Sequence, residues 1–82
     1  MHHDRLKIER LYDCYHRDVY HFALYYTNCK QEAEDITQET FFKAMKKLDN
    51  LQDNDKVKTW IISIARNTAV EYIVNKPLSN VS

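Results

Sequence analysis

The absence of glycine is the feature that most constrains the fold of this chain. None of its 82 residues is glycine, and only Pro77 is proline. Tight β-hairpin turns need residues at positive φ, which glycine adopts most easily, so a turn-rich β architecture is disfavoured. The hydrophobic fraction of 44% is too high for a disordered chain. We therefore predict a single small all-α domain.

Three segments show the apolar spacing of amphipathic helices, at about residues 5–27, 30–48 and 55–74. Asp55 is a plausible N-cap for the third segment. The pattern predicts a compact bundle of three main helices. The third segment has apolar residues on several sides, so we expect it to be central in the domain. The alternative is that another protein covers it.

The ends of these helices require a residue other than glycine. Asn28, Asn50 and Asn75 follow the three apolar patterns, and asparagine tolerates the left-handed conformation that often ends a helix. The last turns of the second segment also hold lysines, which suit the negative end of a helix dipole: Lys43, Lys46 and Lys47.

The second helix is predicted to have two opposed faces, because residues 32–44 read EAEDITQETFFKA. Its core-facing side is expected to hold Ala33, Ile36, Thr37, Thr40, Phe41, Ala44 and Leu48. Its outer side is expected to hold Asp35, Gln38, Glu39, Phe42 and Lys46. Acceptors around an aromatic ring suit a partner that offers arginine or lysine. The outer side is therefore either a docking surface or an ordinary solvated face with one stray phenylalanine.

The charge pattern permits contact with nucleic acid without requiring it. The formal net charge is zero, so no overall field attracts the chain to nucleic acid or to an anionic membrane. Residues 56–76, however, carry four lysine or arginine side chains and one glutamate. A modest basic segment of this kind can contact phosphate groups.

Metal binding and catalysis find little support in the sequence. Cys14, His16 and His21 lie close together in the first segment, but no fourth ligand accompanies them, and structural zinc sites normally have four. We recognise no nucleophile–base pair and no phosphate-binding glycine loop, so we expect no enzyme activity, catalytic residue, metal or cofactor. There is neither a signal peptide nor a long apolar run. We therefore expect a cytoplasmic protein without membrane insertion.

Two strings carry a family resemblance. AEDITQETFFKA, followed by a polar loop and VKTWIISIARNTAVEYI, resembles the region 2 domain of bacterial sigma factors, in particular the extracytoplasmic-function (ECF) group. The resemblance extends over about residues 8–76. It implies that the helix with the D-x-x-Q-E pattern docks on the clamp helices of the β′ subunit of core RNA polymerase. The residues that it assigns to this role are Asp35, Gln38, Glu39 and Phe42.

The same resemblance implies contact with the promoter −10 element, where a base of the non-template strand is flipped out. It assigns the base pocket to residues 51–56. The candidates that it implies for backbone and base contact are Lys56, Lys58, Ser63, Arg66 and Asn67. Two alternatives stay open, because Arg66 could pair with Glu71 or be solvated, and Asn67 could bond to the local backbone. Trp60 is interpreted as a core anchor rather than as a strand-opening aromatic residue.

The chain also departs from the family pattern. Many relatives end the third helix with arginines where this chain has EYIVNKP, so weaker phosphate attraction is expected there. The second domain of the family, region 4, is missing. We therefore expect a region 2-like domain at residues 1–77, excised from a longer protein or, as the alternative, a naturally short relative, and a tail or the start of a linker at 78–82. The alternative function is a protein-interaction domain that binds an anti-sigma factor without touching DNA.

Overall fold

The computed structural model describes residues 2–48 and 56–74, with side chains from residue 7 onward. It contains three α-helices: α1 at His2–Thr27, α2 at Lys30–Lys47 and α3 at Val57–Val74. The prediction of an all-α bundle of three main helices is confirmed. Several predictions lie outside the described residues: the N-cap Asp55, the helix ends at Asn50 and Asn75, and residues 51–55 of the implied base pocket at 51–56.

A two-residue link reverses the chain between α1 and α2. Asn28 has a φ of 57°, the left-handed conformation predicted for it. Its backbone N–H donates to the carbonyl of Leu24 at 2.6 Å. The N–H of Ala33 then donates to the carbonyl of Cys29 at 2.9 Å, which makes the first hydrogen bond of α2. This link brings α2 back along α1 in the antiparallel direction.

The core lies between the three helices in two clusters. The larger cluster joins the middle of α1, the end of α2 and the start of α3, through Leu11, Val19, Phe41, Ala44, Leu48, Val57, Ile61, Ile64 and Ala65. The smaller one, at the other end, consists of Ala23, Ala33, Ile36 and Ala69. Three of its four members are alanines, and short side chains at a contact let helix axes approach closely. The two clusters join opposite ends of α2 and α3, so these two helices run antiparallel.

Three threonines lie in this core without leaving a hydroxyl unpaired. Thr37, Thr40 and Thr68 each donate from Oγ1 to the carbonyl four residues earlier, at 2.7 Å in every case. Among the described residues, no buried side-chain nitrogen or oxygen lacks a hydrogen-bond partner. Local back-bonding thus allows a threonine to take a buried helical position.

The expectation that α3 is buried centrally in the domain is wrong. Val70 and Ile73 are 41% and 42% exposed, so this helix is not covered on all sides. In a bundle of three, each helix has only two neighbours, and part of its circumference stays open to solvent. Trp60, in contrast, is partly buried against the larger cluster, which confirms its interpretation as a core residue. Within the described ranges, no helix combines the length and apolarity needed to cross a membrane.

Candidate docking face and nucleic-acid groove

The docking face is the outer side of α2, which consists of Asp35, Gln38, Glu39, Phe42 and Lys46. All five side chains are exposed, and the Phe42 ring is 48% exposed. The opposite side of α2 is buried, and its members are those predicted for the core: Ala33, Ile36, Thr37, Thr40, Phe41, Ala44 and Leu48. The division of this helix into two faces is therefore confirmed, while the role of the outer face stays a prediction.

Lys46 and Phe42 form a pair within the docking face. The ammonium nitrogen of Lys46 lies 4.3 Å from the centroid of the Phe42 ring, within the range of a cation–π contact. The two residues are four positions apart, a spacing that places side chains next to each other on a helix. The Phe42 ring is 48% exposed beside this contact, so part of it stays accessible to a partner.

Asp35 connects the docking face to α3. The hydroxyl of Tyr72 donates to Oδ2 of Asp35 at 3.3 Å. The ring of Tyr72 is partly buried against the smaller cluster. Tyr72 thus packs with its ring and bonds with its hydroxyl, so a carboxylate predicted to bind a partner is also fixed by its own domain.

A second surface is an open groove lined by side chains of all three helices, which we call the basic groove. Its lining residues are Tyr26, Lys43, Lys47, Ile64, Arg66, Asn67, Val70 and Glu71. Two residues predicted for DNA contact, Arg66 and Asn67, therefore lie beside two lysines of α2. From the sequence, Lys43 and Lys47 are predicted only to suit the negative end of the α2 dipole. Their i, i+4 spacing indicates that they share one face of α2, but it does not show which helix packs beside that face.

Glu71 lies at the rim of this groove and pairs with Lys43 of α2. The ammonium of Lys43 donates to Oε1 of Glu71 at 2.5 Å, and the two side chains are 24% and 62% exposed. The hydrogen bond from Lys43 and the charge of Lys43 lower the pKa of Glu71 below its usual value; desolvation opposes them, and the charge of Lys47 adds a lesser lowering. Among the described residues, Glu71 pairs with Lys43 and not with Arg66, so that alternative for Arg66 is wrong.

The remaining DNA candidates lie outside the groove. Lys56, Lys58 and Ser63 are exposed in the first half of α3 or just before it. Lys58 lies 3.8 Å from the carboxylate of Asp18 on α1, and both side chains are largely open to solvent. An exposed pair of this kind contributes little to stability, so Lys58 can exchange partners easily.

The candidate metal ligands of α1 do not converge. Cys14 is an exposed free thiol, and the Nδ1 atom of His16 lies 2.8 Å from the carbonyl oxygen of Tyr12. In the part of the chain that the structure describes, no three His, Cys, Asp or Glu side chains are grouped as metal ligands would be.

Comparison with known proteins identifies the family. The family described as Sigma-70 region 2 matches residues 11–76, which includes all of α2 and α3. The chain belongs to this family. The match confirms the resemblance on the strings of α2 and α3, and it makes the docking face and the basic groove surfaces of a sigma region 2 domain.

Several curated relatives are similar over most of the chain. The ECF RNA polymerase sigma factor SigM of Bacillus subtilis is 40% identical over 83% of this chain and 41% of its own length. SigX of the same organism, also described as an ECF RNA polymerase sigma factor, is 36% identical over 76% of this chain and 32% of its own. The chain thus spans well under half the length of these relatives. No solved structure matches the chain significantly.

Proposed function

We propose that this domain is a transcription initiation module that binds core RNA polymerase through the docking face and the promoter −10 element through the basic groove. The observation that carries the proposal is the use of one helix for two surfaces. α2 presents carboxylates and an aromatic ring on its outer side, and it contributes two lysines to a groove that also holds Arg66 and Asn67. The relatives named as RNA polymerase sigma factors support a role with RNA polymerase.

The chemistry of the docking face suits a partner helix that carries arginine. Asp35 and Glu39 offer carboxylates for charge-assisted hydrogen bonds, and Gln38 offers an amide between them. Phe42 supplies an apolar anchor of the type that dominates binding energy at protein interfaces. We assign this face to the β′ clamp helices of the polymerase.

The chemistry of the basic groove suits a single nucleic-acid strand. Lys43, Lys47 and Arg66 attract phosphates without reading sequence. The Asn67 side chain has both a donor and an acceptor, so it can read a base edge that is no longer paired. Tyr26 is half-exposed at the groove and offers a ring on which a base can stack.

The exposed cations at the start of α3 extend this path. We propose that Lys56, Lys58 and Ser63 contact the strand before it enters the groove. Flipping a base out of the duplex costs roughly a few kcal/mol, and binding of the extruded base by the domain offsets this cost. The domain then acts by favouring an open DNA state that is sparsely populated alone, without chemistry of its own, and we place it in the cytoplasm.

A second candidate function rests on the open side of α3. Val70, Ile73 and Val74 are exposed apolar side chains near the end of this helix. They suit an anti-sigma factor that covers α3 by hydrophobic contact. The two functions differ in their response to salt, because phosphate binding weakens steeply as salt rises and apolar contact does not.

A pull-down of core RNA polymerase by the immobilised chain tests the docking assignment. We expect the wild-type chain to retain polymerase and Glu39→Lys to retain little, since the reversed charge repels an arginine-bearing partner. Glu34→Lys is the matched control, because Glu34 is an exposed glutamate of the same helix outside the docking face. Equal retention by all three proteins would remove this function from the outer side of α2.

A further inference from the structure

We propose that Glu71 is a built-in competitor of the nucleic-acid strand, an anion that occupies Lys43 and thereby lowers the affinity of the basic groove. The inference rests on the proposed function of this groove. It assigns to Glu71 a role that neither the family resemblance nor the docking argument gives it, since Glu71 touches neither the docking face nor the candidates at the start of α3.

Glu71 faces the basic groove, opposite Lys43 of α2. It follows Asn67 by four residues on α3, so both side chains face the groove. Its carboxylate bonds to Lys43 across the groove, on α2. The Lys43 side chain is largely covered, whereas that of Glu71 is 62% exposed. The ammonium therefore has a fixed place, and the carboxylate lies at the rim, from which it can move into solvent.

Glu71 and the phosphates of a bound strand compete for the same cation, Lys43. A carboxylate and a phosphate both accept a charge-assisted hydrogen bond from a lysine. A phosphate oxygen that binds Lys43 must approach the site where Glu71 already lies, and two anions at one ammonium repel each other. A glutamate is ionised at neutral pH, and the hydrogen bond from Lys43 lowers the pKa of Glu71 further, so the competing carboxylate is charged there.

The exposure of Glu71 decides how easily the Lys43–Glu71 ion pair can separate. An ion pair with one largely exposed partner adds little to the stability of a fold. Glu71 can therefore leave Lys43 without disturbing the packing of α2 against α3. Its main effect is on anions that bind from solution, because such an anion must displace Glu71 to reach Lys43.

Fluorescence anisotropy with a labelled single-stranded −10 oligonucleotide tests the inference, using the full chain at several salt concentrations. We expect Glu71→Gln to bind about two- to fivefold more tightly at low salt, the range set by one exposed charge pair. The slope of log affinity against log salt should steepen by up to about one, because one more cation becomes available to phosphate.

Two controls separate this role from a general effect of charge. Glu34→Gln makes the same change of net charge on an exposed site away from the groove, and it should gain much less affinity. In a Lys43→Gln background, Glu71→Gln should lose most of its gain, because the lysine that it releases is no longer present. Thermal unfolding of each variant checks that the fold is kept.

The possible outcomes are distinct. Tighter binding by Glu71→Gln than by Glu34→Gln, abolished in the Lys43→Gln background, supports the inference. Binding weaker than that of the wild type would show that Glu71 contacts the strand directly, and binding equal to Glu34→Gln would show no competition; both overturn it while the proposed function stands. If neither the wild type nor Glu71→Gln binds the oligonucleotide at low salt, the nucleic-acid function of the groove fails as well.

Discussion

Phe42 is the residue whose surroundings differ most from those of the other phenylalanines. Phe41, its neighbour in sequence, is buried in the larger cluster, and Phe22 packs against the same cluster. The Phe42 ring stays half-exposed and has an ammonium near its centroid. A ring that contributes little to the core, yet is held in one place, is prepared for a partner because less side-chain entropy remains to be lost on binding.

We expect Phe42→Ala to weaken binding to core polymerase by about 1–2 kcal/mol, the loss typical of an aromatic anchor. The free energy of unfolding should change by less than about 0.5 kcal/mol, because the ring is not part of the core. Titration calorimetry and urea unfolding measure the two quantities. Tyr25→Ala is a suitable control, since Tyr25 is a 91% exposed aromatic residue on α1. A variant that unfolds easily and binds as tightly as the wild type would give Phe42 a structural role instead.

At the scale of the elements, the link between α1 and α2 depends on one backbone conformation. Asn28 carries a side chain at a φ of 57°, where most residues other than glycine and asparagine are strained. Thr27 supports the link from one side by donating its hydroxyl to the carbonyl of Ala23 at 2.9 Å. The reversal of the chain, and with it the antiparallel packing of α2, therefore rests on this position.

We expect Asn28→Ala to lower the free energy of unfolding by about 1 kcal/mol, because alanine is strained in the left-handed region. Asn28→Gly should be close to neutral, since glycine adopts this conformation freely. Urea unfolding followed by circular dichroism compares both variants with the wild type. If alanine were tolerated as well as glycine, the conformation of this link would not limit stability.

The elements also show how far the sequence alone reaches. Local periodicity predicted both faces of α2, because burial along a helix repeats with its turn, and it predicted the left-handed Asn28. It failed for the open side of α3 at Val70 and Ile73, since apolar composition does not state how many neighbours a helix will have. The basic groove was missed in part for the same reason. Lys43 and Arg66 line the same groove only because α3 packs against α2, and helix packing is a tertiary feature.

At the scale of the whole molecule, a net charge of zero conceals two sorted surfaces. The docking face holds the carboxylates of Asp35 and Glu39 and one cation, Lys46, whereas the basic groove is lined by three cations and one carboxylate. The core of the domain lies between its helices and keeps both surfaces on one rigid support. Screening by salt should act on the groove more strongly than on the anchor at Phe42.

The central claim is that α2 serves two surfaces at once, and its neighbouring lysines allow the most direct test. Lys47 lines the basic groove, while Lys46 lies over Phe42 on the docking face. The measurement is the affinity of Lys47→Gln and Lys46→Gln for the single-stranded −10 oligonucleotide as salt is varied. We expect Lys47→Gln to weaken binding and to reduce the salt slope by about one, and Lys46→Gln to bind as the wild type does. Equal effects of the two substitutions would contradict the account.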